Sequence, residues 1–592
     1  MTPFLLAISI LLPVALGLSI VAAVWPGDIP RSRLLLLALS LGVGCCACSA
    51  LLFAWLIVVG RAGRGVLVIE IALVAILAAV AYRRSVRDSP RTVESSASRL
   101  VLCGAAIALL LAAALFILKV SRSPYGDWDA WAGWNLKARM IYLGGDQWRD
   151  AFSGGLPNQM QDYPMLLPLS VAQMWLCAGS AAQLGPVILS LAFTASTVLL
   201  LGCSVSMLRG RAQGLLAVTA LGATPFFVTN GTAQYADVPV AFFFLAALVM
   251  LALSGRYQHR GLLVLAGLSA GSAAWTKNEG IAFLICVAIA MVALRRWRNL
   301  GWYAVGAAVP VALVLYLKLF LVKQPNLILR GQSWHDFAAR LMLPESYPTI
   351  AGAFISDFVR MGGWLLGPTI LVVVYAALAG IRRKGERDAG TATILTTLLL
   401  VLGSYFLIYL ITPIGLRFHL DTSADRLLLH LWPGALFWCF LAIRAPEERP
   451  GLLPRIAAYV LVLVCVVTGG RALWQLWSGG LGVRAGAQMA TLERRLSGVA
   501  SVLPLHGVIG YTSDKPEHTT EYVWAAYFLA PRIVVDSPNP EIVVLDRHVV
   551  PDPDKNQDGS YSLQEQGGMK LYDFGNGIYV EDRTGMNTAG GR

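Results

Sequence analysis

Apolar runs of about 20 residues recur along the first 475 positions, and polar connectors separate them. A helix of 20 residues spans about 30 Å, the thickness of the hydrocarbon core of a membrane. The pattern therefore predicts a polytopic α-helical membrane protein with about fourteen transmembrane helices. We expect these helices at residues 4–25, 34–59, 65–82, 100–120, 184–206, 213–229, 237–254, 261–275, 280–295, 300–321, 361–380, 391–411, 425–443 and 453–472.

The longest polar interruption covers residues 121–183 and contains one further apolar segment, at 165–175. Pro164 and Pro168 stand at the start of this segment. Because of these prolines and its short length, we expect an amphipathic helix lying on the membrane surface rather than another span.

After about residue 485 the hydrophobic runs shorten to the length of β-strands. A helical pattern from Thr520 to Ala530 lies between the first two of these runs. Strands that alternate with a helix and short turns predict a small α/β domain over residues 485–592. The predicted strands are 508–511, 532–535, 541–545 and 577–580.

The composition supports this class of protein and excludes others. Hydrophobic residues make up 57% of the 592 positions, charged residues make up 14%, and the mean hydropathy is +0.64. Soluble domains carry about 25% charged residues, and disordered, collagen-like and coiled-coil chains are excluded as well. The net charge of +13 comes from Lys and Arg dispersed between apolar runs, so nucleic acid is not an expected partner. All nine cysteines lie in apolar stretches, which favours small buried side chains over metal ligands or disulfides.

Arginine-rich connectors predict which side of the membrane each loop faces. Most of these connectors fall on the same side of the predicted helices, with Arg61 and Arg64 as exceptions. We therefore expect a multi-pass protein of the inner (plasma) membrane, with loop 121–183 and the C-terminal domain extracytoplasmic. The connectors on the cytoplasmic side carry Arg83, Arg84, Arg87 and Arg91; Arg209 and Arg211; Arg256 and Arg260; Arg295, Arg296 and Arg298; and Arg382, Arg383, Lys384 and Arg387.

The first outer loop opens with an acidic and aromatic segment, Asp127-Trp128-Asp129. If the chain is helical from about residue 128, Trp131, Asn135 and Arg139 share one face. Carboxylates accept hydroxyl protons and aromatic rings cover the apolar faces of a pyranose, so this segment suits a sugar substrate. The alternative is an interfacial aromatic belt with aspartates at a helix N-terminus.

Further turns on the predicted outer side carry polar and charged side chains. Each turn alone is typical of a solvated connector, but together they place several carboxylates and at least three cations at one depth. With Trp131, these side chains are the candidate substrate-binding residues. They are Asp162, Tyr163, Asp237, Lys277, Glu279, Arg417, His419 and Arg426.

Several short motifs follow one another between about residues 100 and 475. They are Asp127-Trp128-Asp129, Asp162-Tyr163-Pro164, Asp237-Val238-Pro239, Thr276-Lys277 and Asp425-Arg426. In order and shared outer placement they resemble the GT-C superfamily of membrane glycosyltransferases. That superfamily includes the protein O-mannosyltransferases of glycosyltransferase family 39 and the enzyme that adds aminoarabinose to lipid A.

The resemblance implies a GT-C-like transmembrane catalytic domain at residues 99–475, preceded by additional helices at 1–98. The chain departs from the family in those three extra helices and in its acidic pair, which is commonly Asp-Glu and here is Asp-Trp-Asp. The implied reaction moves a hexosyl or pentosyl group from a polyprenyl-phosphate donor to a cell-envelope hydroxyl on the outer face. A lipid, a polysaccharide or a protein is the acceptor, and membrane lipids are further partners.

The resemblance also implies a general base in the first outer loop, which is Asp129 or Asp127. We prefer Asp129, because the run from Asp129 through Trp131 to Lys137 matches the continuation of the family better. No general acid and no cofactor are required, since polyprenyl phosphate is already a good leaving group. The acceptor hydroxyl does need a base. Because closely spaced carboxylates attract divalent ions, a cation held by Asp127 and Asp129 is an open alternative.

Negative charge on the departing phosphate calls for fixed cations. Lys277, Arg417 and Arg426 are the candidates, with His419 a weaker one. Lys277 and Glu279 can instead neutralise each other as an ion pair at a helix end.

A second candidate metal site lies in the tail, where residues 554–565 match the twelve-residue calcium-loop template. Glycine stands at the sixth place and glutamate at the twelfth. Val549-Val550-Pro551 before the loop and Gly567-Gly568 after it argue against flanking helices, so a polar connector between strands is the favoured alternative. The candidate ligands are Asp554, Asn556, Asp558 and Glu565.

Two other functional classes stay open at this point. A transporter or flippase for a lipid-linked or envelope substrate would also bind phosphate, but it should show internal repeats and charged or broken segments near mid-helix. The chain shows no clear repeat, and its charges cluster at outer helix ends. The third class is a non-catalytic assembly protein whose tail binds a partner, and the acidic loop argues against it.

Overall fold

In the computed structural model, the chain forms a set of packed helices followed by a small domain that contains a β-sheet. The structure describes residues 3–30, 32–85, 97–157, 160–323, 328, 331–361, 368–382, 389–446, 448, 451–479, 483–515, 519–547, 561–566 and 568–585.

Within these ranges, nine helices are long and apolar enough to cross a membrane, or ten if one bent pair counts as a single span. The chain is therefore a polytopic helical membrane protein. The nine spans are Ala7–Val24, Arg33–Val59, Gly65–Arg83, Arg99–Arg122, Leu184–Arg209, Asp237–Tyr257, Trp297–Leu321, Gly390–Ile411 and Leu452–Gly479.

The helices are numbered in chain order. They are α1 (Pro3–Val24), α2 (Arg33–Val59), α3 (Gly65–Ser85), α4 (Arg99–Arg122), α5 (Asn135–Leu143), α6 (Leu166–Ala178), α7 (Leu184–Arg209), α8 (Arg211–Gly222), α9 (Pro225–Thr232), α10 (Asp237–Tyr257), α11 (Arg260–Thr276), α12 (Asn278–Ala293), α13 (Leu300–Tyr316), α14 (Trp334–Leu341), α15 (Ser346–Arg360), α16 (Pro368–Ala379), α17 (Ala389–Ile411), α18 (Leu416–Ala442), α19 (Leu452–Gly479), α20 (Val483–Leu496) and α21 (Thr519–Phe528).

Each of the fourteen predicted spans overlaps a described helix, but fewer than fourteen qualify as single spans. Three lie on shorter helices, since α11 has 17 residues, α12 has 16 and α16 has 12. The predicted span at 213–229 is the bent pair α8 and α9, whose axes differ by 63°. The predicted span at 425–443 lies on α18, whose first half carries several charged side chains.

The segment that we expected on the membrane surface is instead enclosed. All 13 residues of α6 are buried, because the helix packs against α1, α2 and α5. The prediction of an amphipathic surface helix is therefore wrong. A surface helix needs an exposed polar face, whereas the polar residues Ser170 and Gln173 of this largely apolar helix are buried.

The polar stretch that we expected as a turn before residue 425 is also helical. α18 begins at Leu416 and continues without a break to Ala442, with Pro433 inside it. Arg417, His419 and Arg426 therefore project from different turns of one helix rather than from one loop.

α11 packs closely on α13, and this packing positions the end of α11, which Lys277 follows. A Cβ on Gly267 would meet the backbone oxygen of Tyr303 at 1.9 Å, and one on Gly306 would meet that of Val264 at 1.9 Å. The two backbones are therefore in contact, which is the role that small residues have at helix crossings in membranes.

A six-stranded mixed sheet forms the core of the C-terminal domain, with strand order β2-β1-β3-β6-β5-β4. β1 pairs in parallel with β2 and β3, and the other pairs are antiparallel. α21 connects β1 to β2 and packs on both. The strands are β1 (Val508–Ser513), β2 (Ile533–Asp536), β3 (Ile542–Asp546), β4 (Ser562–Gln566), β5 (Met569–Asp573) and β6 (Ile578–Asp582).

The four predicted strands coincide with β1, β2, β3 and β6, and the predicted helix coincides with α21. β4 and β5 were not predicted because neither is a buried apolar run. Every residue of β4 is exposed. Of the candidate calcium ligands, Asp554, Asn556 and Asp558 lie outside the described residues. Glu565 lies in β4, where its Oε1 is 3.8 Å from Lys570 Nζ.

Candidate active site

A buried carboxylate at the start of α10 contacts three basic side chains. Asp237 is 1% exposed. Its Oδ1 lies 2.8 Å from Lys277 Nζ and 2.7 Å from His430 Nε2, and its Oδ2 lies 3.9 Å from Arg426 Nη1. Burying a carboxylate is costly unless cations and hydrogen-bond donors surround it, and these contacts provide both.

Lys277 occupies the single extended position between α11 and α12, with φ −154° and ψ 153°. The following helix starts in direct contact with the end of α11, since a Cβ on Gly280 would meet Ala273 O at 2.0 Å. From this joint the Lys277 ammonium also reaches Glu279 Oε1 at 3.1 Å. The ion pair that we gave as an alternative for Lys277 is thus present together with its contact to Asp237.

Arg426 connects Asp237 to the first loop. Its Nη1 lies 2.5 Å from Asp129 Oδ2, and its guanidinium lies 5.2 Å from the centre of the Tyr235 ring. The Arg426 side chain is 22% exposed. Its Nε and the Oε2 of Glu279 are both buried with no hydrogen-bond partner among the described residues.

The two aspartates of the first loop have different surroundings. Asp129 faces the cluster through Arg426 and is 15% exposed. Asp127 is 38% exposed and pairs at 3.1 Å with Lys119, near the end of α4. Only Asp129 of the two is therefore in contact with the charged cluster around Asp237.

A network of hydrogen bonds fixes the segment in front of Asp129. Asn135 Nδ2 donates to Gln234 Oε1 at 2.7 Å, and Gln234 Nε2 donates to Pro124 O at 2.9 Å. Gln234 has a φ of +60°, and Gly126 has a φ of +79° with Ala233 O only 2.6 Å from where a Cβ would stand. The first loop is thus locked to the turn between α9 and α10, which leads directly into Asp237.

Beyond Asp129 the chain runs through a π-helical turn, Ala130–Trp134, before α5 begins. We expected a regular α-helix from about residue 128, but its first turn is the wider π-helical turn. Trp131 is 7% exposed, and its ring lies 4.8 Å from that of Trp128 and 5.7 Å from that of Trp524 in α21. The Trp131 ring thus contacts the C-terminal domain.

A second polar group surrounds Asp162, which is 5% exposed. Its Oδ2 lies 3.2 Å from Lys318 Nζ and accepts a 2.9 Å hydrogen bond from Asn278 Nδ2. Lys318 Nζ also donates to Asn278 Oδ1 at 2.9 Å. Because Asn278 follows Lys277 directly, the joint between α11 and α12 touches both polar groups.

Lys137 of α5 ties this segment in place from the opposite side. Its ammonium donates to the backbone oxygens of Met160, Gln161 and Tyr163, and it lies 5.8 Å from the Phe152 ring. Burial lowers the pKa of Lys137 to about 7, although the charge of nearby Asp162 opposes this shift.

The remaining candidates lie at the edge of these groups or apart from them. Tyr163 is half-buried, with its ring 5.6 Å from that of Trp134. His419 Nδ1 lies 2.9 Å from Thr412 Oγ1, and its ring packs on Tyr409. Arg417 is exposed at the start of α18, so the structure brings neither it nor His419 into contact with Asp237.

Sequence reasoning missed two central side chains, His430 and Lys318. His430 is fully buried, and its Nδ1 lies 3.2 Å from Tyr405 OH, while Nε2 contacts Asp237. Both residues sit inside predicted spans, where an ionisable side chain is itself a sign of function. The predicted candidates were charged residues at the ends of the spans, so these two residues inside spans were not among them.

The cluster joins a carboxylate in the first loop to a partly exposed guanidinium with an unpartnered N–H. A carboxylate in this setting can accept a proton, and guanidinium and ammonium groups can bind a phosphate. Among the described residues, no group of three or more His, Cys, Asp or Glu side chains is arranged to hold a metal ion.

No protein-family model matches the chain, and no curated protein matches it by sequence. Among solved structures, the chain is similar to the crystal structure of ArnT from Cupriavidus metallidurans bound to undecaprenyl phosphate. The identity is 14% and the TM-score 0.48, and the alignment covers 82% of this chain and 98% of ArnT. At that TM-score the likeness carries no conclusion about the site.

Proposed function

We propose that this protein is a membrane glycosyltransferase of the GT-C type. It moves a sugar from a polyprenyl-phosphate donor to a hydroxyl of a cell-envelope acceptor, with Asp129 as the general base. The observation that carries the proposal is the contact of Asp129 with Arg426, 2.5 Å away, beside the buried Asp237 cluster. The transfer needs a base and a cation that binds the phosphate, and Asp129 and Arg426 would provide these two groups side by side.

In the proposed step, the acceptor oxygen attacks the anomeric carbon while its proton passes to a carboxylate oxygen of Asp129. The bond from the anomeric carbon to the phosphate oxygen breaks, and its electron pair leaves with the polyprenyl phosphate. A positioned general base contributes about 10²- to 10⁴-fold to such a step.

Arg426 is the proposed partner of the phosphate. Its guanidinium is partly exposed and its Nε–H lacks a partner among the described residues, so a phosphate oxygen arriving there would satisfy a buried donor. Lys318 is the second candidate cation, because its side chain is 28% exposed. Lys277 is the less suitable one, since two carboxylates already surround it.

Asp237, His430 and Lys277 act in this proposal as positioning residues. Asp237 attracts the same Arg426 nitrogen, Nη1, that contacts Asp129. His430 and Lys277 in turn hold Asp237, which allows its charge to remain buried. The order of the short motifs that resemble the GT-C superfamily supports the same assignment of the first-loop carboxylate.

The experiment that tests the proposal separates lipid binding from transfer. Full-length Asp129→Asn, Asp127→Asn and Arg426→Gln variants are compared in two assays. The first measures envelope glycan modification in cells that depend on the variant, and the second measures binding of undecaprenyl phosphate to the purified protein. Asp127→Asn is the matched control, because that carboxylate lies two residues away and pairs with Lys119 instead.

We expect Asp129→Asn to lower modification at least 100-fold and to retain lipid binding. Arg426→Gln should weaken both, and Asp127→Asn should change neither by more than a few fold. Full modification by Asp129→Asn at normal protein levels would remove the base assignment. Undecaprenyl phosphate translocation across vesicles by wild type and Asp129→Asn alike, without transfer, would favour the flippase alternative.

A further inference from the structure

A large groove lies on the side of the helices formed by α4, α7 and α8, away from the charged cluster. Its volume is about 930 Å³, near the upper end for small-molecule sites. Most of its wall is apolar. The wall includes Leu109 and Phe116 of α4, Leu191 and Val198 of α7, and Leu215 and Val218 of α8.

One end of this α4–α8 groove is polar and positively charged. Ser32 and Arg33 reach it from the start of α2, and Ser206 and Arg211 reach it from the junction of α7 and α8. Arg33 and Arg211 are both exposed, and they are the charged residues among the described lining of the groove. No carboxylate is among the described residues that line this end, and the two arginines give it positive charge.

Packing between α2, α7 and α8 brings the pair Ser32 and Arg33 close to the pair Ser206 and Arg211. The Ser32 hydroxyl lies within hydrogen-bond reach of Cys203, one turn before Met207 in α7. A Cβ on Gly214 would meet Ser206 Oγ at 1.9 Å, so the start of α8 lies against the end of α7. Arg33 and Arg211 therefore line the same end of the groove from two helices.

The groove is long enough to hold the chains of a membrane lipid. From Leu191 to Met207 along α7 it extends about 24 Å at the rise of an α-helix. One leaflet provides about 15 Å of hydrocarbon depth. Acyl chains that enter at the arginine end thus find an apolar wall along their whole length.

We propose that the α4–α8 groove binds an anionic diacyl phospholipid of the phosphatidylglycerol class, with its phosphate between Arg33 and Arg211 and its chains along α4, α7 and α8. Guanidinium groups bind phosphate through paired N–H donors, and basic side chains at a membrane surface select anionic headgroups. The groove is a different site from the charged cluster. α8 and α9 separate Arg211 from the turn that carries Gln234 and Tyr235.

The test measures which lipid the full-length protein retains from nanodiscs made of equal parts phosphatidylglycerol and phosphatidylcholine, with native mass spectrometry as the readout. The Arg33→Gln/Arg211→Gln double variant removes both cations. Arg298→Gln is the matched control, because Arg298 is another exposed arginine between helices and stacks on Trp297 outside the groove. We expect the double variant to lose roughly 10- to 30-fold of its phosphatidylglycerol enrichment and the control to lose none.

A second variant tests the apolar part of the groove independently of charge. Ala195 is exposed and lines the groove, so Ala195→Trp should exclude the chains and lower retention of phosphatidylglycerol while both arginines remain. Thermal unfolding of each variant establishes that it is folded. Equal enrichment in the double variant and Arg298→Gln, or unchanged retention by Ala195→Trp, would overturn the proposal. Displacement of phosphatidylglycerol by an equimolar amount of undecaprenyl phosphate would overturn the choice of lipid.

Discussion

At the scale of single residues, the centre of this protein is one carboxylate with three basic neighbours. Asp237 contacts Lys277, which follows α11, and Arg426 and His430, which lie one turn apart on α18. Removing the carboxylate leaves Lys277 paired with Glu279 and Arg426 paired with Asp129, so the buried positive charge loses part of its compensation. Asp237 is therefore as important to stability as to the proposed chemistry.

Substitution of Asp237 should unfold the protein at lower temperature. We expect Asp237→Ala to lower stability by about 3–5 kcal/mol, the range for breaking a buried ion pair, as measured by thermal unfolding in detergent. The Asp237→Asn/Lys277→Met pair should recover part of the loss, since it removes one cation of the cluster together with the carboxylate. If Asp237→Ala and wild type unfold together, the cluster is not the buried ion network described above.

Lys137 predicts a dependence of stability on pH. Burial holds its pKa at about 7, against 10.5 for an ordinary lysine, so the unfolded chain binds the additional proton between those values. The free energy of unfolding therefore rises with pH over that range, by at most about 1.4 kcal/mol per pH unit. Below pH 7 both states are protonated, and this dependence vanishes.

The Lys137→Met variant should lose this contribution. Between pH 7 and pH 9, the unfolding temperature of wild type should rise relative to that of the variant. Lys515→Met is the control, because Lys515 is only partly buried and pairs with Glu521 in the C-terminal domain. Parallel pH profiles for wild type and Lys137→Met would contradict the lowered pKa.

At the scale of elements, the C-terminal domain holds the loop that carries the proposed base. α21 places Trp524 against Trp131 and Tyr527 4.6 Å from the guanidinium of Arg139. The Tyr125 hydroxyl donates to Glu493 of α20. Because Asp129 stands between Tyr125 and Trp131 in the chain, contacts on both sides of it come from the C-terminal domain.

Trp524→Ala should therefore lower glycan modification, although the Trp524 indole N–H has no hydrogen-bond partner among the described residues. We expect about a tenfold fall in the transfer rate with undecaprenyl phosphate binding unchanged, because small displacements of a positioned group are costly in rate. Trp524→Phe should restore most of the rate. Trp334→Ala, at an 88% exposed tryptophan of α14, is the control. A loss of lipid binding equal to the loss of transfer would indicate general unfolding instead of a positioning role.

At the scale of the whole molecule, the charged cluster and the C-terminal domain occupy the same end of the helices, since the first loop contacts both. The arginine-rich connectors predict that this end faces away from the cytoplasm. Transfer on the outer face of the membrane requires that arrangement.

Cysteine labelling tests this orientation. Asn539→Cys in the C-terminal domain should react with a membrane-impermeant maleimide in intact spheroplasts, whereas Arg298→Cys should react only after the membrane is permeabilised. Both positions are exposed. The wild-type chain, whose nine cysteines lie in apolar stretches, provides the background. Labelling in the reverse order would invert the topology and place the proposed reaction in the cytoplasm.

The amino-acid sequence by itself determined the membrane class, the position of the long apolar helices and the pattern of β1, α21, β2, β3 and β6, but not α14, α15 or α20. These features follow from local hydrophobic runs, whose length and period are set by the bilayer and by the backbone. Sequence also drew attention to Asp129, Asp237, Lys277 and Arg426, because charge beside apolar helices is costly and therefore conspicuous.

Only the tertiary structure decided which of these charges meet. His430 and Lys318 lie within apolar helices, and their partners Asp237 and Asp162 are 193 and 156 positions away along the chain. Asp127 and Asp129 look equivalent in sequence, yet one pairs with Lys119 and the other with Arg426. In each case the outcome depends on contacts between distant segments, which no local pattern of hydrophobicity or charge contains.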